Sequence, residues 1–328
     1  MTEVALVTGA SGFVGSHLAA AALDRGYRVR CLVRRTSRLD GLPLDRLELV
    51  YGDVGEPSTL PPAVEGAALI FHAAGLTRAP RRADYFRVNA DGTRNLVRAA
   101  RKGAPGLRRF ALVSSLAAGG TSRPGHPRRE GDPDEPLGDY GVSKKEGEAV
   151  LKEEDVDLPW TIVRPPAVYG PRDRDFLLLA RLVAKGTLLQ VGRVEQQISL
   201  IHAGDLAKGV ILAAESDATR GGTYHLSHPE VLTWTELGKL MAGALGKRVR
   251  VLLVPRSCVP VVGGIANAAA RIVRRPPPLP SDRLRDLLAP AWTCDTAEAE
   301  RVFGFRAETD AKAGVPETIR WYVREGWL

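Results

Sequence analysis

Short apolar runs alternate with amphipathic stretches through the first half of the chain. The runs "VALVT" (4–8), "RVRCLV" (28–33), "LELVYG" (47–52), "ALIFHAA" (68–74), "RFALVSS" (109–115) and "PWTIVRP" (159–165) have the length of strands. Most are apolar throughout, as strands buried on both faces are. Between them, "GSHLAAAALDRG" (15–26), "ADYFRVNADGTRNLVRAARKG" (83–103) and "DYGVSKKEGEAVLKEE" (139–154) carry helical patterns. Strands taking turns with helices predict an α/β fold built on a doubly wound parallel sheet.

Beyond residue 165 prolines and glycines cluster and the elements shorten. The expected division gives residues 1–165 to the sheet domain, rejoined by a return segment at about 198–221. Residues 166–197 and 222–328 then belong mainly to a smaller, discontinuous C-terminal region that covers the substrate. "RRPPPLP" (274–280) reads as a stiff connector.

Composition narrows the function. The chain has 328 residues, 44% hydrophobic and 26% charged, enough for a large core of ordinary globular make-up. Its net charge of +8 is spread over many arginines, densest in "RRTSR" (34–38), "RAPRR" (78–82), "RRE" (128–130) and "RIVRR" (271–275). No aromatics interleave with them, so the charge predicts anionic ligands and no nucleic-acid partner. Cys31, Cys258 and Cys294 have no metal-site spacing, nor do the six histidines, and no metal is expected. Widely spaced thiols suit a reducing compartment. "EVALVTG" reads as a strand almost from the first residue, which leaves no room for a signal peptide and predicts a cytoplasmic protein. No apolar run reaches the length of a membrane span. The nearest is "CVPVVGGIANAAARIV" (258–273), followed by Arg274 and Arg275. It suits a core helix, an apolar wall over a substrate, or a peripheral contact with a bilayer.

The first strand runs straight into "TGASGFVGSHLAAAAL", with Gly9, Gly12 and Gly15 at intervals of three. Small residues let the backbone turn tightly and approach a pyrophosphate, and the following helix offers its N-terminus to the phosphates. A glycine turn between a strand and a helix predicts a Rossmann-type nucleotide site. At the end of the second strand, where a carboxylate would hold the ribose hydroxyls of NAD, stands Arg34, 19 residues after Gly15, with Arg35 beside it. A guanidinium there can hold a 2′-phosphate, which predicts NADP(H) as the preferred cofactor and NAD(H) as second choice.

Tyr140 and Lys144 lie one helical turn apart. An ammonium there favours the phenolate and prepares a tyrosine to pass a proton near neutral pH. Taken alone, the pair also fits an ordinary i,i+4 surface contact.

In eight ordered segments the chain resembles the extended short-chain dehydrogenase/reductases, the NAD(P)-dependent epimerase/dehydratase family, and within them the branch of 3β-hydroxysteroid dehydrogenase-like and dihydroflavonol reductase-like proteins. The segments are "TGASGFVG" (8–15), "GDV" (52–54), "FHAAG" (71–75), "VNADGTRNL" (88–96), "LVSS" (112–115), "YGVSK" (140–144), "RPPAVYGP" (164–171) and "IHAGDLA" (201–207). The resemblance implies cofactor contacts from Gly9, Ser11, Gly12, Phe13, Val14 and Gly15. It puts Asp53 and Val54 beside the adenine, and Ala73, Ala74 and Gly75 along the cofactor, steadied by Asn89. Pro166 would pass near the nicotinamide. Ser115 would be the catalytic serine, with Ser114 as the alternative, acting with Tyr140 and Lys144. Tyr140 would supply the proton, Ser115 would hold the substrate oxygen, and Lys144 would hold the nicotinamide ribose and ready the tyrosine. A homodimer is also implied.

Two activities share this triad: a secondary alcohol–ketone oxidoreductase and a nucleotide-sugar epimerase or dehydratase. Many sugar-nucleotide members carry an asparagine after the "RP" arginine and an arginine just before the "IH" segment. Here the runs are Arg164-Pro165-Pro166-Ala167-Val168 and "QQISLIHAGD", with neither residue. Arg172, Arg174 and Arg193 remain as phosphate partners for that reading. A non-catalytic redox sensor on the same fold is the third reading, and the intact Ser115, Tyr140 and Lys144 stand against it. The missing sugar-nucleotide residues and the apolar run at 258–273 predict a lipophilic substrate, sterol-like or polycyclic.

Overall fold

The apolar runs form strands that pair side by side in parallel. The computed structural model describes residues 2–153, 158–259, 261, 264 and 284–328. Strands β1 (Val4–Thr8), β2 (Arg28–Val33), β3 (Glu48–Tyr51), β4 (Ala67–His72), β5 (Arg109–Val113) and β6 (Trp160–Arg164) take the order 3-2-1-4-5-6. This is the doubly wound Rossmann arrangement.

Successive side chains feed opposite faces, as the two-residue strand period requires. Ala5 and Val7 of β1, Leu69 and Phe71 of β4, and Ala111 and Val113 of β5 join one core with helices α1 (Phe13–Asp24) and α8 (Ala203–Glu215). Leu6, Ile70, Phe110 and Leu112 join the other, against α2 (Pro61–Val64), α4 (Gly92–Gly103) and α6 (Asp139–Glu153).

The stretch expected as one helix at 83–103 is helical but not uniform. It begins as α3 (Arg82–Phe86), widens into a π-turn at Arg87–Asp91 and continues as α4. The wider turn contains Asn89, whose side chain bonds outside the helix.

The return to the main sheet runs further than the expected segment 198–221. β10 (Gly222–His225) pairs in parallel with β6 as the seventh strand. Ala299 in α11 (Ala297–Phe303), Phe305 and Ala307 also pack into the α1–α8 core. Conversely β9 (Gln197–His202), which opens the return, belongs to a second sheet with β7 (Ala167–Tyr169), β11 (Val231–Thr233) and β13 (Ala291–Trp292). A third core, containing Tyr169, Phe176, Leu188, Leu237, Met241, Ile319 and Tyr322, joins α7 (Arg174–Ala184), α9 (Trp234–Ala244) and α12 (Ala311–Arg324).

His202 caps α8, its Nδ1 accepting the Gly204 N–H at 3.3 Å. Asp205 is buried, and its Oδ2 accepts the N–H groups of Glu308 at 3.0 Å and Thr309 at 2.7 Å. It therefore ties α8 to the C-terminal segment.

Most of the apolar run 258–273 lies outside the described residues, as does the connector 274–280. Among the described residues no helix is long and apolar enough to cross a membrane.

Candidate active site

Parallel pairing levels the carboxyl ends of the strands. Thr8, the last residue of β1, sits opposite Leu32 of β2 and His72 of β4. The segments that follow β1, β2, β3 and β4 therefore emerge along one edge, where open α/β sheets bind their ligands. Gly9, Arg34, Asp53 and Ala73 open or lie in those four segments.

The glycine turn is sterically exact. Gly9 holds φ at +71°, and a Cβ there would lie 2.6 Å from the Ala74 nitrogen and 2.7 Å from the Ala73 carbonyl oxygen. A Cβ on Gly15 would lie 2.1 Å from the Gly9 oxygen. Neither place admits a side chain. Gly12 occupies the cap position of α1, which has no side-chain cap. A helix N-terminus left bare at a glycine turn fits a pyrophosphate. Ser11 and Gly12 are exposed on this turn, and Phe13 and Val14 reach the adjoining cavity.

Arg34 is exposed directly after β2 and has no ion pair among the described residues. Its N–H donates to the Ser37 hydroxyl at 3.1 Å, which shapes the loop. The Arg35 guanidinium lies 5.1 Å from the centre of the Tyr51 ring, a cation–π contact. Asp53 accepts the Gly55 N–H at 2.8 Å. Val54 is buried beneath Gly92, where a Cβ would lie 2.8 Å from Val54 Cγ2.

Behind this edge runs a one-way chain of hydrogen bonds. Ala74 N–H donates to Thr8 Oγ1 at 3.2 Å, and Thr8 Oγ1 lies 2.7 Å from His72 Nδ1. His72 Nε2 lies 3.1 Å from Thr93 Oγ1, and Thr93 donates to the Asn89 carbonyl oxygen at 2.8 Å. Thr93 has given its only hydroxyl proton to Asn89, so it accepts from His72. The ring proton is therefore on Nε2, and Nδ1 accepts from Thr8. Burial, aided by the charge of Lys144, pushes the His72 pKa down to about 3, so the ring is neutral. The Asn89 side chain accepts the Leu76 N–H at 2.8 Å and donates to the Ser143 hydroxyl at 2.9 Å. It thus joins the segment after β4 to α6.

One cavity of about 510 Å³ brings Ser115, Tyr140, Lys144 and Pro166 together, with Ala73, Gly75, Phe13 and Val14 also in its lining. Tyr140 and Lys144 come from the first turns of α6, and Ser115 from two residues beyond β5, where it caps the short helix Leu116–Gly119. Lys144 is buried, and its Nζ donates to the Val113 carbonyl oxygen at 2.8 Å. Burial lowers its pKa to about 8, with Glu148 opposing.

The two serines separate. Ser114 is buried and donates to the Glu148 carboxylate. Ser115 accepts the Ala117 N–H at 3.2 Å and donates to no group among the described residues. Ser115 thus has a hydroxyl proton to offer the cavity.

Sequence reasoning missed the ion cluster beneath. Arg164 is 4% exposed, and its guanidinium bonds Glu148 at 2.9 and 2.5 Å and Asp134 at 2.7 and 2.9 Å. Burial works against this cation, but its bonds to Glu148 and Asp134 outweigh burial and raise its pKa. It missed Asp173 too, a cavity residue that caps α7 through the Asp175 N–H at 2.8 Å and is pushed up to about 7 by burial. The alternation of "RPPAVYGPRDRD" signals neither.

Of the arginines weighed as phosphate partners, Arg172 donates to the Gly41 carbonyl at 2.6 Å and Arg174 lies over the Trp327 ring. Arg193 is exposed beyond β8 (Thr187–Val191).

A glycine turn opening a 3-2-1-4-5-6 parallel sheet defines a Rossmann-type, dinucleotide-binding protein. The model of the NAD dependent epimerase/dehydratase family matches residues 5–227, and the chain belongs to that family. Its members are NAD(P)-dependent oxidoreductases, epimerases and dehydratases of the extended type. A ceramide reductase of Caulobacter vibrioides is 33% identical over 99% of this chain and 96% of its own length. The sterol demethylase protein B of Methylococcus capsulatus is 30% identical, over 98% of this chain and 99% of its own. The fold is also that of UDP-glucose 4-epimerase from Thermotoga maritima, solved with UDP-glucose, at TM-score 0.81 and 18% identity over 98% of this chain and 99% of that one.

Proposed function

We propose that this protein is an NADP(H)-dependent oxidoreductase that interconverts a secondary alcohol and a ketone on a lipophilic, sterol-like or polycyclic substrate. The observation that carries the reading is the cavity around Ser115, Tyr140 and Lys144. Its other described walls are largely apolar, including Leu116, Val168, Ile198, Trp234, Leu287 and Trp292. It contains one arginine, Arg78, held by Asp175 at 2.8 Å, and one amide, Gln196, which donates to the Leu287 and Ala289 carbonyls. A pocket for a sugar diphosphate needs free cations and amides, and here both are engaged by neighbouring groups. The names of the two relatives, a ceramide reductase and a sterol demethylase protein, point the same way.

The nicotinamide, when bound, supplies or takes the hydride. Ser115 donates a hydrogen bond to the substrate oxygen, and Tyr140 passes the proton to or from that oxygen. Lys144 is anchored on Val113 and places a positive charge one turn from the Tyr140 oxygen, stabilising the charge left when the proton moves. Gly9, Gly12 and Gly15 leave room for the pyrophosphate, and Arg34, with Arg35 beside it, would hold the 2′-phosphate. Asp53 and Val54 would lie beside the adenine. The protein acts as a cytoplasmic homodimer; its three cysteines are free thiols, as a reducing compartment permits.

The test is mass spectrometry of co-purifying nucleotide, followed by turnover of bulky apolar ketones and of UDP-sugars with NADPH and NADH. Faster turnover of the apolar ketones with NADPH is expected. Tightly held oxidised cofactor, vigorous UDP-sugar turnover and no lipophilic activity would overturn the proposal in favour of an epimerase.

A further inference from the structure

β8 and β12 (Arg250–Val254) form a two-stranded parallel ribbon separate from both larger sheets. Register sets Leu252 beside Leu189, and the two are 50% and 41% exposed. Val251 and Leu253, on the other face of β12, are 38% and 59% exposed, and Val194 just beyond β8 is 57% exposed. Five of the twelve large hydrophobic side chains exposed among the described residues thus sit on this one ribbon and its exit. Apolar exposure so concentrated on one ribbon, across both of its faces, marks an interaction surface.

Charge identifies the partner. Residues 185–196 and 247–256 carry Lys185, Arg193, Lys247, Arg248, Arg250 and Arg256 against a single acid, Glu195. None of the six cations has an ion pair among the described residues. Backbone bonds gather them at the two ends of the ribbon. Arg250 N–H donates to Gly186 O at 2.9 Å and brings Lys185 to the Arg248–Arg250 end. Gly192 N–H donates to Val254 O at 2.9 Å and brings Arg193 to Arg256. An apolar middle bracketed by unpaired cations suits a bilayer, with the side chains in the acyl boundary and the cations among anionic headgroups. A second copy of the chain on this face would set cation against cation, because a two-fold contact apposes the same patch.

The ribbon adjoins the cavity. Arg256 donates to the Leu288 carbonyl, and Gln196 to those of Leu287 and Ala289. Gln196 and Leu287 are both cavity residues.

We propose that the β8–β12 ribbon docks on an anionic phospholipid surface, and that the cavity takes its lipophilic substrate from there. The second clause rests on the function proposed above.

The full chain should co-sediment with vesicles of phosphatidylcholine and phosphatidylglycerol, bind those of phosphatidylcholine alone more weakly, and come off in high salt. Leu252→Asp with Leu253→Asp should weaken binding by roughly tenfold or more. Lys247→Ser with Arg248→Ser should remove most of the preference for anionic lipid, which keeps the test sound if the first pair unfolds. Both double variants should retain wild-type turnover of a water-soluble ketone while losing turnover of a ketone embedded in vesicles. No binding by the wild-type chain, or binding that neither pair weakens, would overturn the docking proposal. So would conversion of a dimer to a monomer by the leucine pair in a protein that ignores vesicles. Turnover of lipophilic ketones in detergent without vesicle binding would refute docking alone. Vesicle binding with turnover confined to UDP-sugars would refute the substrate reading alone.

Discussion

Lys144 donates from Nζ to the carbonyl oxygen of Val113 over 2.8 Å. Val113 is the last residue of β5, two residues before Ser115, and Lys144 lies one turn after Tyr140 on α6. With the Ser114–Glu148 bond, it holds the helix with the tyrosine against the segment with the serine. It also keeps a charged group in a buried place, at the cost of a lowered pKa.

Tyr140→Phe removes the proposed proton carrier and little else. Turnover should fall by at least 10²-fold, with NADPH affinity by fluorescence titration almost unchanged. Retention of most of the wild-type rate would exclude Tyr140 as the proton carrier.

The Lys144 charge gives a pH test with two opposite signs. Its pKa is about 8 in the fold and 10.5 ordinarily. Above pH 8 the folded protein loses this proton while the unfolded chain keeps it, so this group adds stability as pH rises from about 8 towards 10.5. Activity should move the other way, with kcat/KM falling as pH passes about 8. Lys144→Arg keeps its charge and should flatten that limb at a lower overall rate. An unchanged limb in the variant would assign it to another group.

Arg34→Asp should weaken NADPH far more than NADH, by roughly 2 kcal/mol or more for loss of a charge-assisted bond to phosphate. Binding titrations with both nucleotides read this out. Equal affinity of the native protein for the two, untouched by the substitution, would remove Arg34 from cofactor selection. Arg35 stands beside it and tempers the single substitution.

Glu148→Gln should leave Arg164 with Asp134 as its one charged partner in a buried place. Breaking a buried pair costs about 3–5 kcal/mol, measurable by urea unfolding. Replacing Glu148 and Arg164 together with Leu and Met should cost less than the two single changes added, because neither charge of that pair is left buried without the other, and Asp134 is partly exposed.

The glycine turn, the apolar strand runs and the Tyr140–Lys144 pair were legible in the residue order because each depends on neighbours in the chain. Gly9 and Gly15 are needed by a turn a few residues long, and a spacing of four puts two side chains on one helix face. Other features depend on register and on contacts between distant segments. Both serines line the cavity, and only the packed structure distinguishes Ser114, whose hydroxyl is spent on Glu148, from Ser115, which accepts the Ala117 N–H. The family resemblance singles out Asn89, but its partners Leu76 and Ser143, and the π-turn that aims it at them, are set by no periodicity in the chain. Asp134, Glu148 and Arg164 stand 14, 16 and 30 residues apart and become one buried ion cluster only when α6 lies against β6. The same holds for β10, too short to be noticed alone and made a strand by the free edge of β6. Local chemistry is written in the order of residues. Which groups share a buried place is decided by packing, since desolvation acts only once the chain has closed around them.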